Sequence, residues 1–127
     1  MKRMSVEKYR EVGKPKKPSK YRNKKTMVDG IEFDSKRESE RYSELVLLEK
    51  AGEIRDLTLK ETWLLQPSFV KAGKKYKAIY YEADFSYEDN NGKYIVEDVK
   101  GFKTAVFQLK RKMFEYKYPS LTLKIIK

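Results

Sequence analysis

Residues 80–100 constrain the fold more tightly than any other stretch of this chain. Tyr80-Tyr81-Glu82-Ala83-Asp84-Phe85-Ser86-Tyr87 reads as one strand, and Tyr94-Ile95-Val96-Glu97-Asp98-Val99-Lys100 reads as the next. Asn90-Asn91-Gly92 between them is a three-residue turn with glycine where a left-handed residue is usually required. If Asp89 pairs with Lys93 across that turn, Tyr87 faces Ile95 and Asp84 lies opposite Asp98. Side chains alternate with period two, so Asp84, Asp98 and Lys100 then share one face. Like charges directly opposite one another destabilise a sheet. A chain that keeps both acids there is expected to place a cation between them. The simpler alternative is a solvated hairpin face with incidental charges. The apolar flanks, and Lys100 standing two residues beyond Asp98, favour the metal site.

Composition narrows the chemistry. At 127 residues the chain is long enough for one domain with a modest core. No apolar run approaches the ~18 residues of a membrane span, and the opening Met-Lys-Arg-Met-Ser-Val-Glu has no apolar region of the signal-peptide kind. With no cysteine there is no disulfide framework or thiol nucleophile, and a cytoplasmic setting is expected. The absence of histidine excludes Ser-His-Asp and Cys-His catalysis, histidine-ligated zinc and a histidine base. Acid-base or metal chemistry must come from Asp, Glu, Lys, Tyr or Arg, and hard oxygen ligands favour Mg²⁺ or Mn²⁺.

The formal charge of +11 is unevenly spread. Residues 1–25 hold 11 Lys and Arg against Glu7 and Glu11, a net of +9, while residues 26–127 are nearly balanced at +2. Gly13-Lys14-Pro15-Lys16-Lys17-Pro18 cannot hold a helix, so residues 1–25 read as a basic, extended arm and residues 26–127 as the folded domain. Such an arm is the electrostatic footprint of a phosphate-backbone binder, or else a solubilising tail. The arm's candidate phosphate contacts are Lys14, Lys16, Lys17, Lys20, Arg22, Lys24 and Lys25.

Along the domain, Met27-Val28 and Ile31-Glu32-Phe33 around Asp29-Gly30 read as a small hairpin. Ser35 with Glu38 matches a capping box, and the helical period runs through Tyr42, Leu45 and Leu48 to Ala51, with Gly52 to end it. Leu57 to Phe69 is β-prone, with Pro67 at a strand end. Thr104 to Tyr118 reads as a second helix with Val106, Leu109, Met113 and Tyr116 on its apolar side, and Leu121 to Ile126 as a last strand. The order is α-β-β-β-α-β: an α/β fold with a mixed sheet flanked by helices, the last strand lying beside the third. Glu38 heads the apolar stripe of the first helix, so it is either a cap or a third acid at the site. Together Glu38, Asp84 and Asp98 would bind one or two Mg²⁺ ions, and Lys100 would hold water or the scissile phosphate.

Asp84 followed after thirteen residues by Asp98-Val99-Lys100, in this order of elements, resembles the PD-(D/E)XK nuclease superfamily. The likeness extends to small phage-encoded endonucleases similar to Holliday-junction resolvases. It is carried by Tyr21-Arg-Asn-Lys-Lys-Thr26, Phe33-Asp-Ser-Lys-Arg-Glu38, Leu48-Glu-Lys-Ala-Gly52, Leu65-Gln-Pro67, Tyr81-Glu-Ala-Asp-Phe85 and Val96-Glu-Asp-Val-Lys-Gly-Phe-Lys-Thr104, over about residues 20–118. The resemblance implies a restriction-endonuclease-like core, Glu38 as the first-helix acid, a Mg²⁺-dependent cut in branched DNA during phage recombination or replication, and often a homodimer. It also places the start of the second helix beside the acids, where Lys103 and Thr104 would contact phosphate, while Lys110, Arg111 and Lys112 would be a general backbone-binding face or plain solvated charge. Ala83 departs from the proline of the superfamily name. Glu97 adjoins Asp98 on the opposite face and would replace it only if a bulge shifted the register. A non-catalytic DNA-binding recombination accessory protein is the alternative. A basic RNA- or ribosome-associated protein is a third reading, but it leaves the paired acids unexplained.

Overall fold

The computed structural model describes residues 25–127. The arm positions Lys14, Lys16, Lys17, Lys20, Arg22 and Lys24 lie outside the described residues. Strands β1 (Thr26–Val28) and β2 (Ile31–Phe33) form the hairpin that Asp29-Gly30 predicts, with φ 53° and 77° at those two residues. Helix α1 (Lys36–Lys50) begins at Ser35, whose hydroxyl accepts the Glu38 N–H at 3.1 Å. It ends in a Schellman turn: Gly52 takes φ 77°, its N–H donates to Glu49 O, and Glu53 N–H donates to Leu48 O.

The next six strands make one long antiparallel ribbon. β3 (Ile54–Leu59), β4 (Thr62–Gln66) and β5 (Phe69–Lys71) run out, and β6 (Lys74–Tyr76), β7 (Ile79–Glu82) and β8 (Phe85–Asp89) return. The continuous strands expected over residues 57–69 and 80–87 are therefore each broken, at Lys60-Glu61 and at Ala83-Asp84. The breaks are level with one another. Leu59 lies opposite Phe85 and Thr62 opposite Glu82, and the Lys60→Asp84 and Ala83→Glu61 backbone bonds carry the same register through the gap. Here the ribbon leaves one sheet for another. Lys60 takes φ 55°, a left-handed conformation that a residue with a Cβ rarely adopts.

Strand β9 (Tyr94–Val99) follows, then helix α2 (Ala105–Lys117) and strand β10 (Thr122–Ile126). The main sheet has the order β10-β9-β8-β3, with β10 parallel to β9 and β8 antiparallel to both neighbours. This is a mixed α/β fold. Its main-sheet elements appear in the expected order α1, β3, β8, β9, α2, β10, with the outer part of the ribbon inserted between β3 and β8. The register at the turn is also as expected: Tyr87 lies opposite Ile95, and Asp89 N–H donates to Lys93 O at 2.9 Å.

Two apolar clusters cover the two faces of the sheet. On one, Tyr42 and Leu45 of α1 pack with Ile31, Phe33, Leu59, Phe85, Tyr87 and Ile95. On the other, Phe107 and Phe114 of α2 pack with Trp63, Tyr81, Val96 and Leu123. The inward face of α2 is only partly the one expected: Met113 packs against this second cluster, but its three companions do not. Val106, Leu109 and Tyr116 are 64%, 59% and 90% exposed, whereas Phe107 and Phe114 are buried. The helix carries two apolar stripes, and the larger rings fill the space beside Trp63, which meets Phe114 edge-on at 5.4 Å. Among the described residues no helix is long and apolar enough to cross a membrane.

Candidate active site

The level breaks in the ribbon determine the site. At this bend Lys60 comes from the end of β3, Asp84 from the start of β8, and Glu38 from the first turn of α1. The Lys60 ammonium bonds Glu38 Oε1 at 3.1 Å and Asp84 Oδ1 at 2.9 Å. Glu38 is buried with Tyr42 and Leu45, as its place on the helix stripe implies. Only half of the capping box forms, because the Glu38 carboxylate points to Lys60.

Asp84 lies one step beyond the last paired rung of β8–β9, Phe85 opposite Glu97, and its N–H donates to Glu97 O at 3.1 Å. Its Oδ2 accepts the Val99 N–H at 2.8 Å, and its carboxyl shares a hydrogen bond with that of Asp98. The expected pairing of the two acids is therefore present. Asp98 is 2% exposed, accepts the Tyr81 hydroxyl at 2.6 Å, and has the Lys100 ammonium 3.8 Å from its Oδ1. Lys100 lies on the same side, 4.9 Å over the Phe107 ring.

The two aspartates titrate in opposite directions. Burial, then the hydrogen bond and negative charge of Asp84, push Asp98 up to about 7. Burial also opposes ionisation of Asp84, but the Lys60 ammonium and the bonds from Asp98 and Val99 outweigh it and hold that carboxyl below its ordinary value. Burial raises Glu38, with Lys60 opposing. Lys60 is itself desolvated, yet the two carboxylates it bridges keep it firmly protonated.

This donor set suits a hard divalent cation. A buried carboxyl, Asp98, faces a part-buried one, Asp84, and the Lys60 ammonium against Asp84 moderates their repulsion. Among the described residues no three acidic groups converge as a finished cage, because Lys60 stands between Glu38 and the aspartates. Residues 60 and 81 were missed in the sequence. The Lys60 backbone turn has no glycine to announce it, and the Ala83-Asp84 break interrupts the alternation that would relate Tyr81 to Asp84.

Glu97, the second choice for the strand acid, faces away from this site. Arg41 of α1 bonds both its oxygens, at 2.8 and 2.7 Å, and the Tyr87 hydroxyl also donates to it. No bulge interrupts the β8–β9 register. Of the remaining expected DNA contacts, Lys25 lies 3.4 Å from Glu32 and 4.0 Å from Asp34. Thr104 caps α2 by accepting the Phe107 N–H at 3.0 Å. Lys103 lines an open depression of about 550 Å³ with Gln108, Arg111, Lys112 and Glu115, and Lys110 is half-buried on the same helix.

No curated protein and no solved structure matches the chain. A family model described as a protein of unknown function (DUF1064) matches residues 18–127, and the chain belongs to that family.

Proposed function

We propose that this protein is a metal-dependent endodeoxyribonuclease that hydrolyses phosphodiester bonds in branched DNA. The observation that carries the reading is the Asp84–Asp98 pair, Asp98 buried and Asp84 part-buried, with Lys100 on the same face and Glu38 joined to it through Lys60. Asp84 and Asp98 would hold Mg²⁺, or Mn²⁺ in its place, and Glu38 would join them once Lys60 swings aside. The cation supplies charge neutralisation and lowers the pKa of a bound water.

The chain's own groups do the rest. Tyr81 donates to Asp98 and fixes the orientation of that carboxylate. Lys100, half-exposed beside it, donates to the scissile phosphate as a point charge and aligns the attacking water. Lys103, Arg111 and Lys112 offer phosphate-binding charge along α2, at the depression they line. A two-fold dimer would present two such sites to a junction, and the unpaired apolar stripe Val106, Leu109 and Tyr116 is the surface that supports one.

Lys60 favours a second reading, because it already neutralises the acids without a metal. On that reading the chain is a non-catalytic DNA-binding accessory protein. Cleavage of a synthetic four-way junction and of linear duplex in Mg²⁺, beside Asp98→Ala and an EDTA control, separates the two. Junction cutting lost in both controls is expected. Tight binding with no cut in Mg²⁺ or Mn²⁺ would leave the accessory reading standing.

A further inference from the structure

The tip of the ribbon, β5–β6, is a separate two-stranded sheet with every residue exposed. A lone hairpin of this size is marginal in water, yet this one places apolar surface outside: Phe69 is 41%, Val70 68% and Tyr76 39% exposed. Phe69 and Tyr76 stack at 4.7 Å with their planes 10° apart, and Lys74 lies 5.0 Å over the Tyr76 ring. Phe69 pairs with Tyr76 and Lys71 with Lys74, so these four side chains share one face. Residues 67–81 contain Lys71, Lys74, Lys75 and Lys77 and no acid. Lys71 directly opposite Lys74 is a like-charge pair of the kind that weakens a sheet.

A polyanion relieves that repulsion, and an aromatic platform among lysines suits nucleic acid. The ribbon also determines how far the tip reaches. From the Lys60–Asp84 level to the Lys71–Lys74 pair is eleven residues, at most about 36 Å along the strand at ~3.3 Å per residue. That is about one turn of B-form duplex.

We infer that the β5–β6 hairpin is a second DNA-binding site, a sequence-neutral clamp on the phosphate backbone about one helical turn from the acid pair. It rests on the proposed nuclease reading for the placement of the DNA, though not for the binding itself. Lys71, Lys74, Lys75 and Lys77 donate to phosphate oxygens, and the Phe69–Tyr76 face lies against sugar or an unpaired base.

The test uses the full chain carrying Asp98→Asn, in EDTA, and two labelled duplexes, one of about four helical turns and one shorter than a single turn. With Lys71, Lys74, Lys75 and Lys77 all changed to Gln, affinity for the long duplex should fall at least about tenfold, and its logarithmic salt slope should drop by about 0.9 per lost contact. The short duplex, which cannot engage the site and the tip together, should lose less affinity than the long one. The pair Lys71→Gln and Lys74→Gln alone keeps the test open should the fourfold variant fail to fold. Unchanged affinity and slope on the long duplex, or an equal loss on both, would overturn the inference. Cutting by the unmodified chain in Mg²⁺ is scored separately. Hairpin-dependent binding without cutting supports the clamp and removes the nuclease reading, whereas cutting with hairpin-independent binding does the reverse.

Discussion

Asp84 and Asp98 meet through a shared hydrogen bond, with the Lys60 ammonium against the first and the Tyr81 hydroxyl against the second. Negative charge is favoured on Asp84 and a proton on Asp98, because burial and the Asp84 charge raise Asp98 while the closer Lys60 ammonium holds Asp84 down. The pair is therefore polarised before any ligand arrives.

That polarity fixes a pH dependence. Asp98 is raised from 3.8 to about 7 in the fold, so its stabilising effect is complete below about 4 and is lost as pH rises to about 7. Asp84 is lowered, and its contribution is present above its ordinary value and lost only in stronger acid. Metal-free protein should thus lose stability between about pH 4 and pH 7. Asp98→Asn, which still accepts from Tyr81 and can donate to Asp84, should flatten that loss and stabilise the chain at pH 8 by up to about 4 kcal/mol. Urea titrations in EDTA across that range check it, and parallel profiles for the two proteins would refute it. In the unmodified chain, Mg²⁺ should bind more tightly as pH rises through about 7, since it competes with the Asp98 proton.

Lys60 holds the place of a cation between Glu38 and Asp84. Lys60→Met should destabilise the metal-free protein by about 3–5 kcal/mol, because it strands one buried and one part-buried acid. The same change should tighten Mn²⁺ binding, read by electron paramagnetic resonance. Weaker Mn²⁺ binding in a folded Lys60→Met chain would mean that Lys60 supports the ion and does not compete with it.

Arg41 and Glu97 tie α1 to β9 on the far side of the sheet from the aspartates. Glu97 is fully buried, so Arg41→Ala should cost about 3–5 kcal/mol. Denaturant melts should show that loss. At a temperature where the variant is folded, single-turnover cutting at saturating DNA should stay near the unmodified rate, since neither residue touches the proposed site.

Val106, Leu109 and Tyr116 form a helical stripe left exposed among the described residues. If two chains join there, Leu109→Lys with Tyr116→Ser should convert the dimer to monomer in sedimentation equilibrium. Stability should change by less than about 0.5 kcal/mol, as for other exposed positions. An unmodified chain that sediments as a monomer at high concentration removes this surface from consideration.

The β8–β9 register and the shared face of Asp84, Asp98 and Lys100 were legible because a glycine turn and a period of two leave little choice. The α1 boundaries were legible from Ser35 and Gly52. The level breaks at Lys60-Glu61 and Ala83-Asp84 were not. No glycine or proline marks them, and they follow from the ribbon bending between two packed clusters. The inward face of α2 was misread for a related reason. Its two apolar stripes both fit helical spacing, and only the room beside Trp63 and Tyr81 selects Phe107 and Phe114.

The ribbon keeps one register from Leu59 opposite Phe85 through to Trp63 opposite Tyr81, and beyond a single irregularity near Gln66 keeps another to its tip. Paired strands along most of both arms make it a ruler, with the acid pair at its zero and four lysines at its far mark. Adding or removing two residues in each arm would preserve every facing of side chains and move that mark by about 7 Å. On the proposed reading, spacing along a bound DNA would then be set by residue count.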